Sequence, residues 1–543
     1  MSRHRRATLI AFVLALGVID GDVDGRGQAQ ATGPRVEIAF TAGVRTESVT
    51  GMVYVAISRD NQRTPIEQAG PTGSPLFSAY VEALGPGRAA VIDSGAAGHP
   101  VASLRDVPPG EYWVQPFVNV YTRFARADGH TVWLHMDQWE GQDWKRSPGN
   151  LYGEPVKITW DPKASTPLRL TADKVIPPIE PPADTALVKR IRIQSDILTK
   201  WWGHPIFLGA TVLLPKDYDR HPDVRYPINY EQGHFSLRAP GGFGRGGEFD
   251  TLWLAPDTPR LIYATLQHPS PYYDDSYGVN SENNGPYGDA IMKELIPAIE
   301  KQFRVIGEPW ARMLSGGSTG GWIAAAHQVF YPDFYGGAFA SCPDSVDFRY
   351  HQIVNIYSDP NAYFIDHGWM KVDRPNHRRP DGNITSMMKD ENHYELIVGD
   401  KSRSGGQWDI WEATYSPVGP DGYPKRLWDK RTGAIDKTVA EPWRKYDLRH
   451  ILETNWATIG PKVAHKLNVY IGDMDSYYLN DAVEKLNEFL VKADNPKFTG
   501  EVVFERRAPH CWGPRGAELM EKMVAQIEKY APAGADLTSW RHP

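Results

Sequence analysis

Several familiar signals are missing from these 543 residues, and each absence removes a class of function. Only two cysteines occur, Cys342 and Cys511. There is no paired CxxC, no HExxH and no calcium-loop spacing, so no metal centre of a recognisable kind is expected, and no cofactor. The glycine-rich run Pro240–Gly247 lacks the Lys-Ser/Thr ending of a phosphate loop and reads instead as a flap. No basic stripe appears. The net charge is −7, which argues against nucleic acid as a partner. The one long apolar run, Ala7–Ile19, is too short to span a bilayer as a mature helix. It follows Arg3, Arg5 and Arg6 and precedes Ala29-Gln30-Ala31, the order of a secretory signal. Residues 1–31 are therefore read as a leader, and the rest as an exported protein, secreted or periplasmic, without stable membrane insertion. No feature specifies an oligomeric state.

What remains is organised in two parts. Residues 35–174 show short alternating runs such as Val36–Phe40, Gly51–Ile57 and Tyr112–Val118, separated by turn clusters, which predicts an all-β sandwich-like domain. A proline-rich stretch over 175–189 (Ile176-Pro177-Pro178-Ile179-Glu180-Pro181-Pro182) marks a linker. From 190 to 543 strands alternate with helices, predicting an α/β domain with a mostly parallel sheet and helices on both faces. Strands are expected at Leu208–Leu214, Tyr226–Tyr230, Leu261–Leu266, Arg312–Ser315, Gly337–Ser341, Leu467–Ile471 and Glu501–Glu505. One helix carries Ile291, Leu295, Ile299 and Phe303 on a stripe, with Asp289 as its cap and a kink at Pro297. Residues from about 345 to 460 interrupt the rhythm as a Trp-rich insert with little periodicity, the length of a lid rather than a plain connection. Its Trp369, Trp408, Trp411 and Tyr415, together with Trp512, are candidates to line a substrate cleft. That they pack the insert's own core stands as an equal alternative.

The chemistry centres on Ser318. Arg312–Ser315 enters as a strand, Gly316-Gly317-Ser318-Thr319-Gly320 makes a small-x-Ser-x-small turn, and an Ala-rich helix leaves. This pattern is a nucleophile elbow, in which a strained turn lifts the serine above a sheet. A serine hydroxyl needs a neutral imidazole to take its proton and a carboxylate to orient that imidazole. In this plan they follow in chain order, acid then His. Asp475 lies in the loop after Leu467–Ile471, with Asp473 as the alternative acid; His510 follows the last strand. Backbone donors for an oxyanion are expected at Thr319 N and at His234 N, whose side chain is read as pocket lining. Cys511 adjoins His510 and Cys342 follows a core strand. In an exported protein they either pair as a disulfide or remain two unrelated buried thiols; both readings stand open.

Over residues 190–540 these features resemble the esterase D-like branch of the α/β hydrolases, which includes feruloyl esterases, enterochelin esterases, S-formylglutathione hydrolases and mycolyl transferases. The likeness lies in Gly209–Pro215, Tyr226–Gly233, Gly288–Ile299, the Ser318 elbow and the Asp475 and His510 loops. It implies serine ester hydrolysis through an acyl-enzyme. Two departures bear on the substrate: Gln232-Gly233 stands where the family has His-Gly, and the insert exceeds the family's compact core. The expected partner is a small-molecule or polymer-linked ester, with aromatic richness leaning toward aryl, hydroxycinnamoyl or sugar-linked esters. A peptidase or acyltransferase on the same three residues, and a catalytically dead binding protein, are the alternatives.

Overall fold

From residue 188 onward the alternating strands assemble into one eight-stranded sheet. Its strands are β1 (Val188–Gln194), β2 (Phe207–Leu213), β3 (Ile228–Gln232), β4 (Ile262–Gln267), β5 (Arg312–Gly317), β6 (Gly337–Ser341), β7 (Leu467–Gly472) and β8 (Glu501–Glu505), in spatial order β1-β2-β4-β3-β5-β6-β7-β8. β1 and β2 pair antiparallel, as do β2 and β4; every later pairing is parallel. A computed structural model describes residues 33–541 of the protein. The leader read at residues 1–31 lies outside the described residues. Among them, no helix is long and apolar enough to cross a membrane.

The strands β3 to β7 are short and almost wholly buried, as parallel strands covered on both faces must be. Helix α1 (Glu248–Leu254) packs against α7 (Gly516–Tyr530), and α2 (Thr319–Phe330) packs against α5 (Leu448–Val463), which in turn meets α6 (Leu479–Leu490). The two groups cover opposite faces: Tyr263 of β4 reaches Met523 of α7, while α2 lies along β5 and β6. The chain between Tyr287 and Gln302 is helical but not uniform. A wide π turn, Ile291–Leu295, joins the segments Tyr287–Ala290 and Ile296–Gln302. Pro297 cannot donate to the ladder, and the widened turn before it absorbs that loss. Asp289 sits in the first turn, paired with Lys293, rather than at the cap, which is Pro286.

Residues 36–175 form two further sheets that share no strand with the central one among the described residues. One has three strands, ordered Leu168–Thr171, Val36–Ala39, Ala89–Ile92; the other has eight, built on Val49–Ser58 and the long Gly110–Ala125. Their inner faces make a common core from Val36, Ile38, Val53, Val55, Val114 and Val118. A second cluster joins Tyr54, Phe117 and Trp144 to Ile397 and Val398 of the insert. Phe124, Val132 and Leu134 enter the main core around the central sheet.

The insert is more regular than its sequence implies. It holds α3 (Met388–Val398), α4 (Gln407–Tyr415), α5 and two hairpins. α4 escapes a periodicity search because it is buried on every side. Asp409 and Glu412 are enclosed along with Trp408, Ile410, Trp411 and Tyr415. Their charge is met within the insert: Lys430 Nζ lies 2.5 Å from Asp409 and 2.6 Å from Glu395, and Leu427 N donates to Glu412.

Candidate active site

β5 ends at Gly317, Ser318 takes φ 58° and ψ −125°, and α2 begins at Thr319. This conformation is strained for a residue with a side chain, and it is held from outside the turn. Ser318 N donates to Ser341 O at 3.1 Å and lies 3.2 Å from Cys342 Sγ. The flanking glycines are required by close approach. A Cβ on Gly316 would sit 2.3 Å from Gly320 O, and one on Gly320 would sit 2.0 Å from Gln232 O. The end of β3 therefore presses against the start of α2. That contact puts the Gly233-His234 turn beside Thr319, whose N–H is among those a helix start leaves without an internal partner.

His510 Nε2 lies 2.9 Å from Ser318 Oγ, and His510 Nδ1 lies 2.7 Å from Asp475 Oδ2. Asp475 is fully buried, and its Oδ1 accepts from Tyr477 N and Leu479 N at the start of α6. It is thus Asp475 that meets the imidazole; Asp473 instead accepts from Arg507 N and ties the two loops together. Arg378, from an insert hairpin, braces the acid loop through Asp475 O and Asn480. The ring of Tyr477 packs edge-on to His510 with centroids 4.9 Å apart. Burial works against a charged His510, but its hydrogen bonds to Asp475 and Cys511 prevail and lift its pKa to about 10.

A second carboxylate adjoins the serine. Asp344 Oδ1 lies 3.4 Å from Ser318 Oγ, while Oδ2 accepts from Tyr277 Oη at 2.5 Å and from Thr319 Oγ1 and Gln407 Nε2 at 3.2 Å. Trp411 Nε1 in turn donates to Tyr277 Oη at 2.6 Å. Burial pushes the Asp344 carboxyl up, against the pull of these donors. Nearby, His234 Nδ1 lies 3.1 Å from Asp274 and 3.7 Å from buried Asp275. Burial opposes its charge, but the Asp274 hydrogen bond and the surrounding carboxylates outweigh it and bring His234 to about 9. Asp344, Tyr277, Gln407, Asp274 and Asp275 were not singled out from the sequence. Asp344 alone carried a usable signal, its place just past the C-terminal end of a core strand, where α/β sheets hold ligands.

Two clefts flank the elbow. One, of about 560 Å³, is lined by His234, Tyr273, Asp274 and Gln407, with Glu140–Trp144 of the N-terminal β region as its far wall. The other, of about 700 Å³, runs behind the elbow past Gly316, Gly317 and Cys511, between α1 and α7. Gly241 of the glycine-rich run lines it; that run is held by Asp250, which accepts from Gly244 N and Gly246 N.

The tryptophan candidates fall elsewhere, and neither cleft is lined by any of them. Trp369 is fully exposed at a hairpin tip. Trp408 and Trp411 stack on each other and on His351 in the insert's interior, where Tyr415 is also buried. Trp512 is half-buried against the main core. Trp408, Trp411 and Tyr415 fill volume, as large aromatics do when a helix is enclosed on all sides.

Cys342 and Cys511 are unbonded thiols with Sγ atoms 2.7 Å apart. Both residues have left-handed backbones, φ 40° and 60°, so two further strained positions adjoin Ser318. Burial pushes the Cys342 thiol up. Cys511 is drawn down by its bonds to Cys342 and to the imidazole. Among the described residues, two sets of side chains hold metal-ligating atoms within 4.8 Å of one another: Cys342, His510 and Cys511, and His234, Asp274 and Asp275. A cation in the first would occupy the imidazole that otherwise faces Ser318.

No protein-family model matches the chain, and no curated protein matches it. Solved structures similar to it include a ferulic acid esterase, 16% identical over 63% of this chain and 96% of that one, with a TM-score of 0.34. Another is FphF, a fluorophosphonate-binding serine hydrolase of Staphylococcus aureus, at 14% identity over 63% and 99%, TM-score 0.34. An S-formylglutathione hydrolase from Agrobacterium tumefaciens is 14% identical over 64% and 97%, TM-score 0.36.

Proposed function

We propose that the protein is a serine carboxylic-ester hydrolase of the α/β-hydrolase class. The observation that carries this reading is the unbroken relay from Ser318 Oγ through His510 to Asp475, at 2.9 and 2.7 Å. Ser318 Oγ attacks the ester carbonyl as His510 Nε2 takes its proton, and Asp475 holds the imidazole in the required tautomer. The N–H groups of Thr319 and His234 receive the oxyanion. His510 returns the proton to the departing alcohol, leaving an acyl-enzyme. A water molecule, deprotonated by the same imidazole, releases the acid.

The leader sequence supports export to the periplasm or beyond. In that setting Cys342 and Cys511 join as a disulfide, each thiol losing a proton and an electron to an oxidising disulfide partner. Residues 35–174 act as a β-sandwich-like domain that supplies a wall of the cleft beside Ser318. The lean toward aryl and hydroxycinnamoyl esters draws nothing from Trp369, Trp408, Trp411 or Trp512.

Ser318→Ala is expected to lower turnover of p-nitrophenyl acetate by several orders of magnitude with unchanged circular dichroism. It should also abolish labelling by a fluorophosphonate probe. Equal turnover in wild type and variant would remove the assignment.

A further inference from the structure

Asp344 has no part in the relay, yet its carboxylate adjoins the nucleophile directly. Its two oxygens differ in kind. Oδ2 is saturated by Tyr277, Thr319 and Gln407, which also fix the carboxylate plane. Oδ1 meets only Ser318 Oγ, at 3.4 Å. That separation is long for a hydroxyl donor, whose usual range ends at about 3.0 Å, and the serine proton has a better acceptor in His510 Nε2. Asp344 is 4% exposed, so Oδ1 is an under-used acceptor in a buried place.

Asp344 and Asp274 lie on this side of the serine with buried Asp275, whose carboxyl burial pushes well up, and the imidazoles of His234 and His510 face them. Negative charge on Asp344 beside the nucleophile opposes the oxyanion that must develop there. A substrate that brings its own positive charge to Oδ1 removes that opposition. A substrate without one meets it in full.

Geometry places the charge on the substrate. Once Oγ bonds to the carbonyl carbon, a substituent on the adjacent acyl carbon lies a few bonds from Oγ, the same reach as Oδ1. Gln407, which orients Asp344 through Oδ2, lines the 560 Å³ cleft together with His234, so that cleft ends against the residue that holds this carboxylate.

We propose that Asp344 is a specificity-determining carboxylate whose Oδ1 receives the ammonium group of an α-aminoacyl ester. The proposal rests on the serine-ester reading above and names its preferred acyl class.

The test compares kcat/KM for the methyl esters of alanine, N-acetylalanine and propionic acid under one condition, in wild type and in Asp344→Asn. Wild type is expected to favour the alanine ester over both others by roughly a hundredfold, the scale of a buried charge pair. In Asp344→Asn that ratio should collapse toward one. Equal kcat/KM for the three esters in wild type would overturn the proposal, even if the variant fails to fold. So would a variant in which all three fall together with the ratio intact, the mark of a merely structural carboxylate. Failure of the serine-ester reading looks different: no ester is turned over and Ser318 takes no fluorophosphonate.

Discussion

At the scale of single residues, two aspartates in one loop have separate work. Asp475 and Asp473 are two positions apart, yet the turn sends one carboxylate to His510 and the other to a backbone amide across the loop. Asp475→Asn preserves shape but leaves the imidazole in the wrong tautomer. A fall in kcat of about 10⁴-fold is expected. Asp473→Asn removes only a loop tie and should leave kcat within about tenfold, with any effect showing as a lower Tm. Steady-state kinetics on the two variants separates the roles, and comparable losses in both would refute the division.

At the scale of elements, the loops after β6 and β8 bring both cysteines to the back of the elbow. In the dithiol form Cys511 helps hold a proton on His510, which sits near pKa 10 after burial, Asp475 and Cys511 have all acted. General-base work needs the neutral ring, so kcat/KM climbs as pH rises through that pKa. A disulfide removes the thiolate and its attraction for the imidazolium. The His510 pKa then falls, and the acid limb of the profile shifts to lower pH. pH–rate profiles with and without a dithiol reductant check this, with peptide mapping to establish the state of the pair. Superimposable profiles from proven disulfide and dithiol forms would count against the coupling.

Across the whole molecule, the N-terminal β region and the insert meet at Trp144. Its ring packs on Tyr54 at 4.7 Å and Phe117 at 5.1 Å beside Val398, and it also lines the 560 Å³ cleft. Trp144→Ala is expected to cost about 3–5 kcal/mol, from a buried aromatic lost and a void left behind. Urea unfolding reads the stability and steady-state kinetics the site: the midpoint should drop and KM for esters should rise together. A stability loss with KM untouched would detach this wall from the substrate.

The core strands could be read from the amino-acid order because most are short runs rich in apolar and aromatic residues, closed by turn residues. The relay could be read because its chemistry demands rare residue types in a set order just past strand ends. Ser318, Asp475 and His510 meet both conditions, and their side chains come together. The strand β1 is not legible in the sequence because its lysine and arginines, on an edge strand, look like surface. Helix α4 of the insert is not legible because, enclosed on all sides, it has no polar face to give it a period. The fate of the tryptophans and the presence of Asp344 depend on contacts between segments far apart in the chain. Trp411 reaches Tyr277, and Tyr277 and Gln407 hold Asp344, across separations of 134, 67 and 63 residues. Local pattern carries no trace of such pairings, since they exist only once the β region, the sheet and the insert have packed together.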